Sequence, residues 1–471
     1  MKQRNSTMKT KLFTALFASL LISQAIAAQA TNNFSVQQTV EYGLKNAVQV
    51  KNALLDIKMQ EQTNREITAQ ALPQLNGSIN TTHYFNVAVQ TLPNFIGPAT
   101  YQVLIDQGVK DGAGNPIKMP DGGFGNINAQ FGVPWTANAG LDLSQILFDG
   151  QVFIGLKART AAIDLARRTA DVTAEQIKAN IYKVYWQLVV GKRQLGSIDA
   201  NIERFEKLLH ETNEIYKNGF AEKLDVDKVT VQLNNLRTEK EKVTQQLAAG
   251  NAGLKFLINM PQKEVLLLAD TLDEAKLKSD ILDSAYNYQD RKEIQLLNTA
   301  IKLNSFNVKR YQLSKIPSIV AFGSYSKSAQ RQNFNFFNNG DWFTSSYAGI
   351  KIAVPIFDGF ARKARIENAK LALAKSKNNL QQTIESVDYD VTTARSKLKT
   401  AILTIDNQKQ NTKLAEEVFV STEKKYQQGL GSNQEIYNAQ TELKVAQNNY
   451  YGALYDGIVA KVDYLKAIGK L

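Results

Sequence analysis

"YQQGLGSNQEIYNAQTEL", Tyr426 to Leu443, sets two glycines between long runs of helix-forming residues. The stretch "YKNGFAEKLDVDKVTVQL", Tyr216 to Leu233, stands 210 positions earlier. At that offset tyrosine meets tyrosine (216 and 426), glycine meets glycine (219 and 429) and leucine meets leucine (233 and 443). A helix C-terminus readily ends in a left-handed residue, a conformation that glycine adopts without strain. Both stretches therefore read as reversals between two helices, made twice at matched places.

Other matches extend the duplication outward. "LFDG" (Leu147 to Gly150) answers "IFDG" (Ile356 to Gly359) at an offset of 209, and "LKFLIN" (Leu254 to Asn259) answers "LKAIGK" (Leu465 to Lys470). "LPQL" (Leu72 to Leu75) answers "IPSI" (Ile316 to Ile319) at 244, because the first half carries a longer segment between these marks. Two copies of this length indicate a duplicated domain rather than a solenoid.

Within each copy the expected order is helix, strand, loop, strand, very long helix, turn, helix. The first long helix runs proline-free from Gln151 to Lys217, roughly 100 Å at 1.5 Å per residue. Its apolar residues recur four and three apart: Ile177, Ile181, Val184, Leu188, then Leu195, Ile198, Ile202, Phe205, Leu209 and Tyr216. That is a coiled-coil seam. The second copy repeats it more weakly through Val387, Val391, Ala394, Leu398, Ala401, Ile405, Ala415, Phe419 and Tyr426. Each copy is thus an αα-hairpin.

The strands carry period two. Leu75, Gly77, Ile79, Thr81, His83 and Phe85 alternate with Asn76, Ser78, Asn80, Thr82 and Tyr84; Ile350, Ile352, Val354 and Ile356 stand two apart as well. The segment Ser318 to Ser326 alternates poorly. Strands of about ten residues, apolar on one side and small or polar on the other, suit a membrane barrel as well as a soluble sandwich. Four strands cannot close a barrel in lipid, where open edges leave backbone groups unsatisfied. A barrel requires pooled strands: two copies give eight, three give twelve with room for a lumen. The Gly- and Pro-rich segments Asn86 to Trp135 and Lys327 to Ser346 read as loops at one end.

Composition narrows the functions. Of 471 residues, 44% are hydrophobic, enough to bury a core. The net charge of +12 carries no compact basic cluster with interleaved aromatics, so no nucleic-acid partner is expected. There is no cysteine and there are two histidines, His83 and His210, in unrelated contexts. Neither a metal site nor a Ser-His-Asp arrangement can be assembled from that supply, so no cofactor, metal or catalytic residue is expected. Residues 1–30 read as a secretory signal peptide: a basic start, the apolar run Leu12 to Ile22, then the small-residue sites Ala25 to Ala27 and Ala28 to Ala30. Eleven apolar residues are too few to span a bilayer.

The expected division is a first repeat over 31–259, with barrel strands near 74–86 and 136–148 and a hairpin over 150–258; a linker over 260–288; and a second repeat over 289–471, with strands near 318–326 and 346–357 and a hairpin over 359–468. The strand entries, the "FDG" exits, the paired Tyr-x-x-Gly turns and the terminal "LKAIG", in this order, resemble the TolC family of outer-membrane efflux channels from about Phe34 to Leu471. The resemblance implies a mainly α, α+β membrane protein. It would be a homotrimer whose 12-stranded barrel in outer-membrane lipid continues into a periplasmic α-helical tunnel. It implies a belt formed by Pro261 to Tyr288 with the chain ends, in which "EVLLL" (Glu264 to Leu268) makes a short strand.

It also implies that the helix turns form a periplasmic tip. Tyr216, Gly219, Phe220, Gly429, Leu430 and Gly431 would meet a periplasmic adaptor, itself coupled to an inner-membrane RND, ABC or MFS transporter. Asp225, Tyr426, Glu435 and Asn438 would line the tip aperture, with Tyr426 bonding Asp225 of a neighbouring hairpin. Where well-studied relatives carry a further aspartate and an arginine, this chain has Asn438 and Gly431, which predicts a looser closure. Asp225 and Glu435 also lie in helix first turns, where a carboxylate is favoured without any pore, and the two tyrosines also close the seams. The implied function is a passive exit duct for efflux or type I secretion. The competing readings are a periplasmic adaptor and a coiled-coil surface or structural protein without channel activity.

Overall fold

A computed structural model describes residues 31–275, 285–338 and 340–471. The expected signal peptide lies outside them. The described chain divides into two compact units, and both draw on both repeats: residues 64–157 and 309–366 form one, the remainder the other.

The smaller unit is built on a four-stranded antiparallel sheet of β2 (Gln74–His83), β5 (Trp135–Phe148), β7 (Ser318–Arg331) and β8 (Phe343–Ala353), hydrogen-bonded in the order β2-β5-β7-β8. The strand pair of each repeat stays adjacent, and β5 joins β7 across the repeats. Register settles the two faces. Leu75, Leu143, Gly323 and Ala348 lie across from one another, as do Ile79 with Ala139 and Ile319 with Ile352. The alternate rows hold Asn76 with Asp142 and Ser324, and Asn80 with Asn138 and Ser328. One face is therefore mainly apolar, with Lys327 among its rows, and the other mainly Asn, Ser, Thr and Asp, with Phe322, Tyr347 and Phe343 of β7 and β8 also on it. Much of the apolar face is bare, with Ile79 87% exposed, but toward one end Ala137 and Ala329 are buried in a cluster with Phe336. Strand β7 runs five residues beyond its expected end, pairing as far as Arg331 although its own side chains alternate poorly. Strand β8 stops at Ala353, two residues before Pro355, which has no N–H for a ladder.

The segment expected as a loop between β2 and β5 is not structureless. Strands β3 (Val89–Pro93) and β4 (Asn126–Gln130) pair antiparallel, and helix α3 (Ile96–Asp106) lies between them. Asn94 starts that helix, its side-chain oxygen accepting from the Gly97 N–H at 2.8 Å. The high Gly and Pro content obscured this local capping.

The larger unit holds helices α1 (Val36–Asn46) and most of α2 (Val48–Ala69), then the two hairpins apart from the first residues of their long helices. The first is α4 (Gly150–Lys217) and α5 (Lys223–Leu257). Helix α6 (Lys292–Leu313) precedes the second, α7 (Ala361–Gln427) and α8 (Asn433–Ala467). Ser35 caps α1 reciprocally with Gln38. Strand β6 (Val265–Leu268) pairs parallel with β1 (Thr31–Phe34). Asp270 accepts from the Val36 N–H at 2.6 Å, and the Tyr185 hydroxyl donates to the Phe34 carbonyl, so the linker and the chain start are tied to α4.

The second seam lies where the spacing placed it, with Val387, Val391, Leu398, Ile405 and Phe419 buried. The first departs from its expected course. Tyr185 rather than Val184, and Leu208 rather than Leu209, are buried, and Asn201 and Thr212 take seam positions. From Ile198 through Asn201, Phe205 and Leu208 to Thr212 the buried residues still fall three and four apart, so the heptad persists with one of its two positions a residue earlier than the apolar spacing placed it. Close approach within the first hairpin rests on reciprocal glycines. A Cβ on Gly191 would stand 2.8 Å from Leu247, and one on Gly250 would stand 2.8 Å from Leu188. Among the described residues no helix is long and apolar enough to cross a membrane.

Candidate functional site: the hairpin tips

Both reversals are the same backbone device. At the end of α4, Gly219 has φ +77°, its N–H meets the Tyr216 carbonyl, and the Phe220 N–H meets that of Ile215. At the end of α7, Gly429 has φ +75°, and the partners are Tyr426 for Gly429 and Lys425 for Leu430. This paired pattern satisfies carbonyls that a helix end would otherwise leave open. It also projects the next side chain outward: Phe220 is 86% and Leu430 73% exposed. A Cβ on Gly431 would lie 3.1 Å from the Tyr426 backbone nitrogen, so a larger side chain at this position would crowd the end of α7. Ala221 holds the matching place in the first tip.

The tips differ in how the returning helix starts. Asp225 turns its carboxylate back to accept the Glu222 N–H at 3.3 Å. In the second tip Ser432 does the capping, its hydroxyl accepting the Glu435 N–H at 3.3 Å. Glu435 is thereby released from the backbone, and its carboxylate lies 3.5 Å from the Lys425 ammonium. Asp225 is half-buried, whereas Glu435 and Asn438 are exposed.

Within the chain the two tips share one core. Phe205, Leu208, Val229, Leu233 and Leu236 of the first hairpin pack with Phe419, Ile436, Tyr437 and Leu443 of the second, and Tyr426 lies against them. Tyr437, which sequence reasoning missed, bridges the tips: its hydroxyl donates to the Asp225 backbone carbonyl at 3.5 Å. Burial, then the charge of Asp225 and that of Tyr426, raise the Tyr437 hydroxyl well above the ordinary phenol range, so it stays a donor. Gln427 adds a bond to Glu211 at 3.1 Å, and Arg204 pairs with Glu416 at 2.6 Å while standing over the Phe419 ring. Tyr426 makes no hydrogen bond to Asp225 among the described residues of one chain. Further from the tips, the α4–α8 contact turns polar: Gln194 meets Asn448, Ser197 meets Tyr451, and Asn201 meets Gln447. Such a contact shifts more cheaply than an apolar seam, because its bonds can exchange with water.

The model of the family described as outer membrane efflux protein matches residues 290–470. Among relatives, the chain is 18% identical over 351 residues to the outer membrane protein TolC of Vibrio cholerae, covering 74% of this chain and 80% of that one. It is 24% identical over 312 residues to the probable efflux pump outer membrane protein TtgC of Pseudomonas putida, covering 64% of this chain and 62% of that protein. Its fold matches CusC, with a TM-score of 0.71 and 17% identity over 93% of this chain and 92% of that one. It also matches VceC of Vibrio cholerae, with a TM-score of 0.68 and 14% identity over 92% and 96%. The resemblance to the TolC family therefore holds. In sequence and in fold the chain is therefore similar to outer membrane efflux proteins.

Proposed function

We propose that the chain is one third of a passive exit duct, fed by an inner-membrane RND, ABC or MFS transporter through a periplasmic adaptor in efflux or type I secretion. The observation that carries this reading is the sheet. Strands β2 and β8 are both edges, much of the apolar face is bare, and lipid cannot satisfy open edges. Joining β2 of one copy to β8 of the next removes every edge, and three copies give twelve strands around the polar face. The hairpins then form a tunnel of twelve helices whose end is ringed by six turns. Phe220 and Leu430 supply exposed apolar knobs for the adaptor, and Asp225 and Glu435 place carboxylates at the aperture, with Tyr426 reaching Asp225 of the neighbouring hairpin.

The test is extraction from outer membranes, mass measurement in detergent and conductance in planar bilayers. A detergent-dependent trimer that conducts is expected. A monomer, or a protein soluble without detergent, removes the duct. Asp225→Ala combined with Tyr426→Phe is expected to raise conductance, and unchanged conductance would leave those two side chains structural.

A further inference from the structure

At the end of the sheet where the long helices begin, charge and aromaticity are organised in a way the duct does not require. Phe148 ends β5 opposite Ile319, on the apolar face, and its ring lies 5.6 Å from that of Phe153 in the first turn of α4. Lys157 follows Phe153 by four residues, hence on the same side of the helix, and is exposed. The second repeat does the same with different residues. Phe357 and Phe360 lie 5.6 Å apart at the start of α7, and Lys363 follows Phe360 by three.

Phe360 is held at φ +63°, directly after Gly359 at φ +62°. A bulky residue rarely occupies that left-handed region, yet the ring it carries is 69% exposed. Within the chain the ring meets that of Phe357, and most of its surface is left open to an apolar environment outside the chain. Basic side chains outnumber acidic ones nearby, although Glu66 and Glu367 are also exposed. Asp149 and Asp358 are both engaged as helix caps, accepting N–H groups of Gln151 and of Arg362 at 2.7 and 3.0 Å. Lys157, Lys315, Lys363 and Arg365 are exposed and make no ion pair among the described residues. At the opposite end of the sheet both signs occur, with Lys327, Arg331 and Asp341.

We propose that this girdle is a binding surface for anionic phospholipids of the leaflet that faces the helices. The phenylalanines occupy the boundary between acyl chains and headgroups, and Lys157, Lys315, Lys363 and Arg365 engage the phosphates. Long basic side chains suit this place because their stems lie along apolar surface while the charge reaches the headgroup. The inference rests on the reading of the sheet as a membrane barrel.

The test uses the full-length protein, delipidated in neutral detergent, titrated with phosphatidylglycerol, with phosphatidylethanolamine or with inorganic phosphate while thermal unfolding is followed. Phosphatidylglycerol is expected to raise the unfolding temperature, and the other two are not. The combined variant Lys157→Gln, Lys315→Gln, Lys363→Gln and Arg365→Gln is expected to lose about tenfold or more in phosphatidylglycerol affinity. The variant with arginine at the three lysine positions is expected to keep it. An unchanged response in the glutamine variant overturns the proposal, as does an equal response to phosphatidylethanolamine or to inorganic phosphate alone. A wild-type protein that needs detergent and conducts, yet ignores phosphatidylglycerol, defeats this inference only. A protein that stays in solution without detergent defeats the barrel reading itself.

Discussion

The two tips are one backbone with two chemistries. Gly219 and Gly429 take the same left-handed conformation and close the same paired hydrogen bonds, so duplication preserved the geometry of the reversal. The side chains diverged afterwards. In the first tip the acidic residue is the cap, and its carboxylate is occupied by its own backbone. In the second tip a serine caps and the acidic residue is held only by a solvent-exposed lysine. Two carboxylates at matched positions are therefore unequal in freedom, and only the second can reorient without uncapping a helix.

The largest effect that probes this comparison comes from the shared core beneath the tips. Phe205 and Phe419 are both fully buried in it, one from each hairpin. Phe205→Ala and Phe419→Ala should each lower stability by about 3–5 kcal/mol, read by denaturant unfolding of the helical signal. Equal losses would show that the hairpins lean on each other at the tip. A loss confined to one of them would show that each tip folds by itself.

Next come the caps. Ser432→Ala removes the bond to the Glu435 N–H and should cost about 1 kcal/mol. Asp225→Ala should cost a similar amount by freeing the Glu222 N–H, whereas Glu435→Gln should stay within about 0.5 kcal/mol because an exposed ion pair contributes little. Amide exchange in the first turns of α5 and α8 separates these cases. The same Glu435→Gln change should reduce cation selectivity of the reconstituted channel if the freer carboxylate faces the pore. Unchanged selectivity would take Glu435 out of the lumen.

Most of the architecture was legible because duplication prints each feature twice, and two weak signals at a constant offset make a strong one. The second seam could be read residue by residue, since Ala394 and Ala401 keep its period where larger side chains are missing. The first could not, because Asn201 and Thr212 occupy buried places that an apolar count passes over, and two apolar candidates stand side by side at Val184 and Tyr185. The sheet's apolar face was legible in β2 but not in β7, whose side chains show their pattern only once the register with β5 is known. Of the tips, the turns were readable from glycine and tyrosine. The bridging role of Tyr437 was not, because it depends on which hairpin lies next to which, a fact that no local spacing contains.

The smallest expected effect concerns another matched pair, Glu175 of α4 and Glu385 of α7, again 210 positions apart. Glu385 is exposed and accepts a bond from Gln381. Glu175 is only 6% exposed, and one of its oxygens has no partner among the described residues. Burial above all, and then the charge of Glu293, raise the Glu175 carboxyl above its ordinary range, against the opposing pull of Arg291, Lys466 and Lys292. An acid raised by folding ionises more readily in the unfolded chain. Stability should therefore fall as pH climbs from the ordinary carboxylate range through the raised folded value, and stay reduced above it. Glu175→Gln removes that slope and should stabilise the protein at neutral pH by less than about 1 kcal/mol, while Glu385→Gln should leave both the slope and the stability unchanged. Unfolding of the two variants at neutral and at mildly acidic pH distinguishes them. If Glu175→Gln destabilises at neutral pH, the pull of Arg291 and Lys466 outweighs burial, and the buried glutamate is a working member of that charge cluster rather than a tolerated one.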